Sequence, residues 1–417
     1  MSASRGLATL LLMASVFLGA ACTDDGRPSA RADEGRPART LLFAVDGLEW
    51  SVALPLVEAG RMPTLAGLME KGHAGRLATT EPTYSPVIWT TIATGRSPAE
   101  HGITGFERKT PSGRVLFSSH ERRTKAFWNI LSDRAFRVDV VGWWLTYPVE
   151  RIDGVMVAQT NTTMRGDLAA NRGIRKGTLI AGQGDQVHPS EREGEFFDVA
   201  REVEGRLPAL MREIFGPAVE SEDPQIESLF RASHWALRAD AVYAEVGRRL
   251  AREEADLLAV YFGGPDVVGH RFWRYREPER FAHPPTAEAV ALLGGTIDAY
   301  YAYVDGLMGS ILAEAGDGVR VLVVSDHGMG AFRTDATYAP EARGKELISG
   351  NHLDAPPGVF VAAGPGIRPT GAWADEPAAL PVVGSVLDVL PTLLALVGLP
   401  KGQDMPGQAM PGVLAAD

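Results

Sequence analysis

The sequence predicts an α/β domain with a mostly parallel central sheet sandwiched between helices. Three observations predict it. Short apolar or β-branched runs recur along the chain, and each is followed by a stretch of helical period. Acidic and histidine residues collect just after those runs, where open parallel sheets bind their ligands. With 45% hydrophobic residues in 417, the chain can bury a large core.

The chain begins MSASRGLATLLLMASVFLGAAC, residues 1–22, in which Arg5 precedes an uncharged apolar run from Gly6 to Ala21 and the only cysteine, Cys22. This pattern predicts an export signal, because the run is too short to be read as a membrane span. Its ending, Leu18-Gly-Ala-Ala-Cys22, resembles a bacterial lipoprotein signal, with the leucine one place further from the cysteine than usual. That resemblance implies a lipid anchor on Cys22 and a domain facing the periplasm or the cell exterior. With no second cysteine, the chain can make no intramolecular disulfide and no thiolate metal site. Residues 23–39 are rich in Asp, Arg, Gly and Pro without apolar periodicity and read as a flexible tether; residues 40–417 read as the folded domain. A net charge of -11 argues against a nucleic-acid scaffold or an anionic-lipid surface as partner.

In chain order, strands are predicted at 41–45 (LLFAV), 138–144 (VDVVGWW), 257–262 (LLAVYF), 319–325 (VRVLVVS) and 359–363 (VFVAA). Helices are predicted at 50–59, 63–71, 86–94, 125–133, about 226–253, about 286–315 and 389–397, the last with Asp388 as its cap and Gly398 past its end. From about 157 to 225 the pattern weakens among many Gly, Arg and Glu residues, which predicts an inserted cap over the active edge of the sheet.

The residues that follow the strands carry the chemistry. Asp46 ends the first strand, Asp266 and His270 follow the strand at 257–262, Asp326 and His327 follow the one at 319–325, and His352 precedes the last. Three carboxylates and three imidazoles are ligands that Zn(II) or Mn(II) accepts, and their number suits two metals. Taken singly, Asp46-Gly47 and Asp326-His327-Gly328 could be turns. The remaining histidines, at 73, 101, 120, 188, 234 and 283, read as structural, with His101 close in sequence to the helix at 86–94.

PTYSPVIWTTIATG, residues 82–95, places Ser85 before Pro86 and an apolar run that stops at Gly95. Locally, Ser85 reads as a helix cap, with Pro86 at the first helical position. In order, Val45-Asp46-Gly47, TYSPVIWTTIATG, AEHGI at 99–103, GPDVVGH at 264–270, SDHGM at 325–329 and His352 resemble the alkaline phosphatase superfamily. Within it they are most similar to the type I phosphodiesterase and nucleotide pyrophosphatase group and its predicted phosphohydrolase relatives, which Gly142–Pro148 and Val267–Trp273 also resemble.

The resemblance implies two divalent cations, preferably zinc with manganese as the alternative. One would be held by Asp266, His270 and His352, the other by Asp46, Asp326, His327 and the oxygen of Ser85. It implies in-line attack on phosphorus by Ser85, then hydrolysis of the phosphoseryl intermediate. A helix start favours an anion, so the same serine can serve as cap and nucleophile. The function implied is a two-metal phosphohydrolase acting on a small phosphate ester, foremost a phosphodiesterase. A phosphomonoesterase, or a phosphomutase or phosphotransferase, would use the same metals. A non-catalytic tethered binding module is the remaining class, and the complete ligand set argues against it. A sulfatase is disfavoured, because the positions two and four after Ser85 hold Val87 and Trp89.

Nucleotide pyrophosphatases carry an asparagine shortly after the His-Gly-Ile motif, whereas here Thr104-Gly-Phe-Glu107 follows. The phosphoryl group then needs another donor, with Lys125, Arg165, Arg172 and Arg175 as candidates. Trp143, Trp144 and Tyr147 beside the predicted cap suit an organic group on phosphate, which favours a diester; as core residues they would carry no such meaning.

Overall fold

The computed structural model describes residues 37–415, except 112, 161, 164–173, 176, 343, 355, 372, 373 and 375. The predicted signal and Cys22, most of the tether, and Arg165 and Arg172 lie outside the described residues, as does the side chain of Arg175.

Nine strands make the main sheet: β1 (Thr40–Val45), β2 (His73–Ala78), β3 (Val138–Val141), β4 (Met156–Val157), β5 (Val187–His188), β6 (Leu257–Phe262), β7 (Arg320–Val324), β8 (Gly358–Ala363) and β9 (Val382–Ser385). Their spatial order is β9-β2-β8-β7-β1-β6-β3-β4-β5. Five of the eight pairings are parallel, and β8 runs antiparallel to both β7 and β2. Strands β1, β6, β7 and β8 are buried at every position. This is why they read as unbroken apolar runs and not as alternating ones.

The helices longer than one turn are α1 (Trp50–Glu58), α2 (Pro63–Lys71), α3 (Ser85–Thr94), α4 (Phe127–Ser132), α5 (Glu193–Phe215), α6 (Pro224–Ala251), α7 (Gly264–Arg276), α8 (Ala287–Leu293), α9 (Thr296–Ala315) and α10 (Val389–Leu396). Helix α9 packs against α1, α2, α5, α6 and α7, whereas α3 packs against α10. The helix predicted near 286–315 divides at Gly294-Gly295, where two glycines remove the side-chain support for a continuous helix. Within the span expected to be a cap lies α5, a 23-residue helix that packs into the helical layer on α6 and α9. Asp388 does not cap α10 with its side chain; its carboxylate accepts from Ser385 and from the Gln408 N–H.

The register positions the functional edge. Val45 pairs with Phe262 and Ala44 with Val324, so β1, β6 and β7 end level. The residues after these three strands therefore emerge side by side.

Candidate metal centre

Six of the predicted ligands meet at that edge. Asp46 follows β1; Asp266 and His270 lie in the first two turns of α7, just past β6; Asp326 and His327 follow β7; His352 follows the short strand Gly350–Asn351, which pairs with Gly330–Ala331. Two trios each bring one donor atom per residue within 4.8 Å of one another, Asp266-His270-His352 and Asp46-Asp266-His327. Asp266 therefore lies within reach of both groups of donors. Asp326 joins the second group through His327, with Oδ2 3.3 Å from Nε2.

Four of the six side chains are aimed by an outer partner. The Asp46 Oδ2 atom accepts from the Tyr261 hydroxyl at 2.5 Å and from the Trp89 indole N–H at 3.0 Å, which leaves Oδ1 free, 3.5 Å from His327 Nε2. His327 Nδ1 donates to the Gly328 carbonyl at 3.0 Å and His270 Nδ1 to that of Gly350 at 2.7 Å, so both rings turn a bare Nε2 to the cluster. Asp326 Oδ1 accepts from the Gly47 N–H at 3.3 Å, leaving Oδ2. Gly47 has φ +65°, and a Cβ there would lie 3.0 Å from the Asp266 backbone, so the turn after Asp46 requires glycine.

The residue chemistry fits a cation. Asp46 Oδ1, Asp266 Oδ1, Asp326 Oδ2, His327 Nε2 and His352 Nδ1 are all buried without a hydrogen-bond partner. Such atoms cost free energy unless something binds them. Burial and the charge of Asp266 push Asp46 up to about 6, and burial with the charges of Asp46 and Asp266 holds Asp326 well above the usual carboxylate range. Against the same burial, His270 beside it holds Asp266 below that range, and Asp266 in turn holds the His270 imidazole up. Burial pushes His327 and His352 down to about 4, which keeps them neutral, as metal ligands must be. Three crowded carboxylates with the two neutral imidazoles of His327 and His352 make a site completed by positive charge, and thiolate-free oxygen and nitrogen donors suit zinc or manganese.

Ser85 is buried at the first position of α3. The cap position belongs to Tyr84, whose carbonyl accepts from the Val87 and Ile88 N–H groups, and Ser85 makes no capping bond, contrary to the local reading of the sequence. Ser85 and Trp89 lie one turn apart on one face of α3, and Trp89 donates to Asp46. His101, fully buried, accepts from the Ile103 N–H at Nδ1 and so donates from Nε2 to Thr91 on α3. That is the structural role expected of it.

The other phosphoryl-donor candidate described is not at the centre: Lys125 is exposed and paired with Asp133. Trp143 is core, donating to the Trp89 carbonyl, whereas Trp144 donates to Tyr261 and lies 3.4 Å from Asp46 Oδ2. Several supporting residues escaped the sequence reading. Tyr261 sits inside a strand run, and its hydroxyl reaches back to Asp46. Glu49 accepts from the Ser51 and Met329 N–H groups, tying the loop after β1 to the loop after β7. Asp240 on α6 accepts from the Gly263 and Gly264 N–H groups and from Tyr300, fixing the start of α7. No local pattern marks Tyr261 or Asp240, because their partners lie far along the chain, and Glu49 reads locally only as the cap of α1, its bond to Met329 having no local mark.

Residues 40–365 match the family described as type I phosphodiesterase / nucleotide pyrophosphatase. Among solved structures, a 2-O GAG sulfatase is similar over 90% of this chain and 73% of its own, with TM-score 0.50 and 10% identity. The phosphonoacetate hydrolase of Sinorhizobium meliloti 1021 in complex with phosphonoformate is 20% identical over 71% of this chain, with TM-score 0.37; this chain covers 57% of that one. No curated protein sequence matches.

Proposed function

The chain belongs to the type I phosphodiesterase/nucleotide pyrophosphatase family, and from that premise we propose that it is a two-metal phosphodiesterase that passes the phosphoryl group through Ser85. The observation that carries the reading is the set of four unpartnered buried donor atoms on Asp46, Asp266, Asp326 and His327, with His352 Nε2 3.8 Å from the one on Asp266. Asp266, His270 and His352 would hold one cation, and Asp46, Asp326 and His327 with the Ser85 oxygen the other. Zinc is the preferred ion, given the imidazole donors. Bound there, the metals would lower the pKa of a coordinated hydroxyl and neutralise charge on phosphate oxygens.

The chain's own residues do the rest. Tyr261 and Trp89 fix the Asp46 carboxylate, the loop bonds of Glu49 hold the turn bearing His327, and α3 presents the Ser85 hydroxyl with the positive end of its dipole behind it. Attack by Ser85 oxygen on phosphorus forms the phosphoseryl ester as the alcohol leaves with a proton; water then splits that ester and restores the hydroxyl. The test is a slow aryl phosphodiester quenched in acid, followed by peptide mass spectrometry. A phosphoryl group on Ser85 that still carries the diester's second ester group is expected; turnover with no labelled serine removes the covalent step. The same assay run with aryl monoesters and with an added alcohol separates the classes. A preference above roughly tenfold for monoesters, about 1.4 kcal/mol in the transition state, or net transfer to the alcohol, would replace phosphodiesterase by phosphatase or phosphotransferase.

A further inference from the structure

We propose that Tyr84, Phe106 and Trp144 form a subsite that takes an uncharged aromatic group on the substrate's phosphate; its place beside the phosphoryl site rests on the reading of Ser85 and the metal centre above. Among the described residues four large apolar side chains are exposed, Tyr84 at 39%, Phe106 at 45%, Leu353 at 46% and Val382 at 53%. Two of them adjoin residues of the centre in the chain, Tyr84 beside Ser85 and Leu353 beside His352. A third, Phe106, packs on Tyr84 at 5.8 Å between ring centroids and on Trp144 at 5.8 Å. Scattered single exposed rings need no explanation, but a contiguous group at a reactive site does.

The rings lead inward. Trp144 packs edge-on to Tyr261 at 6.5 Å between centroids, donates to its hydroxyl at 2.8 Å and lies 3.4 Å from Asp46 Oδ2. An unbroken path of aromatic contact thus runs from solvent to a metal ligand. The Tyr84–Phe106 and Phe106–Trp144 pairs are inclined at 53° and 75°, so none of the three rings lies flat against another. An aromatic guest gains from edge-to-face contact with such rings beyond the area it covers. Charge and hydrogen bonding decide the class. No guanidinium contact described falls on these rings. The indole N–H of Trp144 is already committed, and Tyr84 supplies the one remaining side-chain hydroxyl, too few polar groups for the edge of a nucleobase. A phenyl-like group meets no such cost.

The full chain, loaded with zinc, is titrated calorimetrically with phenylphosphonate and with methylphosphonate. Wild type should bind the phenyl compound at least tenfold more tightly, Phe106→Ala should reduce that preference to below threefold, and Val382→Ala, on the edge strand β9, should keep it. Equal binding of the two compounds by wild type, binding of neither, or a preference unaltered in folded Phe106→Ala overturns the subsite. Hydrolysis of methyl p-nitrophenyl phosphate, followed in parallel, keeps the two readings apart. Phenyl preference without hydrolysis leaves the subsite standing and removes the phosphodiesterase; hydrolysis without phenyl preference does the reverse.

Discussion

Ser85 begins α3 without capping it, so its hydroxyl contributes no capping bond to the fold. Ser85→Ala should therefore cost less than the roughly 1 kcal/mol of a lost cap, with a melting temperature near that of wild type. Turnover of a phosphodiester should fall roughly 10³-fold or more, as when a nucleophile is removed from a working set of catalytic groups. Ser85→Thr should keep measurable turnover. Near wild-type kcat in folded, metal-loaded alanine variant would reduce Ser85 to a helix residue. His101, ten residues from Thr91, gives a pH prediction that needs no metal. Burial lowers its imidazole to about 4 from an ordinary 6.5. The unfolded chain takes up that proton from pH 6.5 downward, while the folded chain refuses it until about 4. The stability tied to the neutral ring is thus whole above that window and erodes as pH falls through it, by roughly 1.4 kcal/mol per unit. His101→Asn keeps an acceptor for the Ile103 N–H. In denaturant titrations between those two pH values the variant should show the shallower loss, and equal slopes would sink the assignment.

At the scale of elements, Asp240 is the bolt between α6 and the first turn of α7. Asp240→Asn replaces one acceptor by a donor facing the Gly263 and Gly264 N–H groups, an expected loss of about 1–3 kcal/mol. Because that turn carries Asp266 and leads to His270, metal affinity should fall roughly 10- to 100-fold. Denaturant unfolding and a competitive metal titration check the pair, and destabilisation with unaltered affinity would uncouple the bolt from the centre. The sequence makes β1, β6, β7 and β8 legible because burial on both faces turns them into apolar runs, and it marks the six candidate ligands because they lie just beyond or just before those runs. Strands β4 and β5 are two residues each, and Gly75 and Gly384 interrupt β2 and β9, so no periodicity marks them. Helix α5 did carry a signal, with Phe196, Val199, Ala200, Val203 and Leu207 buried at helical spacing. Its many Glu and Arg residues dilute that stripe into an insertion-like composition. The antiparallel course of β8 has no local signature at all, since direction is fixed by partners and not by the strand itself.

For the whole molecule, the candidate centre gathers three carboxylates from the end of β1, α7 and the end of β7, so a cation bound there should be linked to folding. Chelation should abolish turnover and lower the melting temperature, and added zinc should restore both; elemental analysis of active protein should find two ions per chain. One ion, or full turnover after chelation, would remove the two-metal reading. We also propose that the domain is exported and held at a membrane through lipid on Cys22: Cys22→Ala should abolish lipid labelling, and unaltered membrane retention would point to a different anchor. The order of strands has a further consequence, for the timing of assembly. Strand β2 pairs with β8 and β9, both contributed by the carboxy-terminal part of the domain. A chain made from its amino terminus must therefore carry β2 with both edges bare until nearly all of it exists, and pairings of such long sequence separation close slowly. The candidate ligands share that delay, as His352 comes just before β8. A chain made only as far as β6 has neither the whole sheet nor the full set of candidate ligands, so the proposed site for the ions is complete only once His352 has been added.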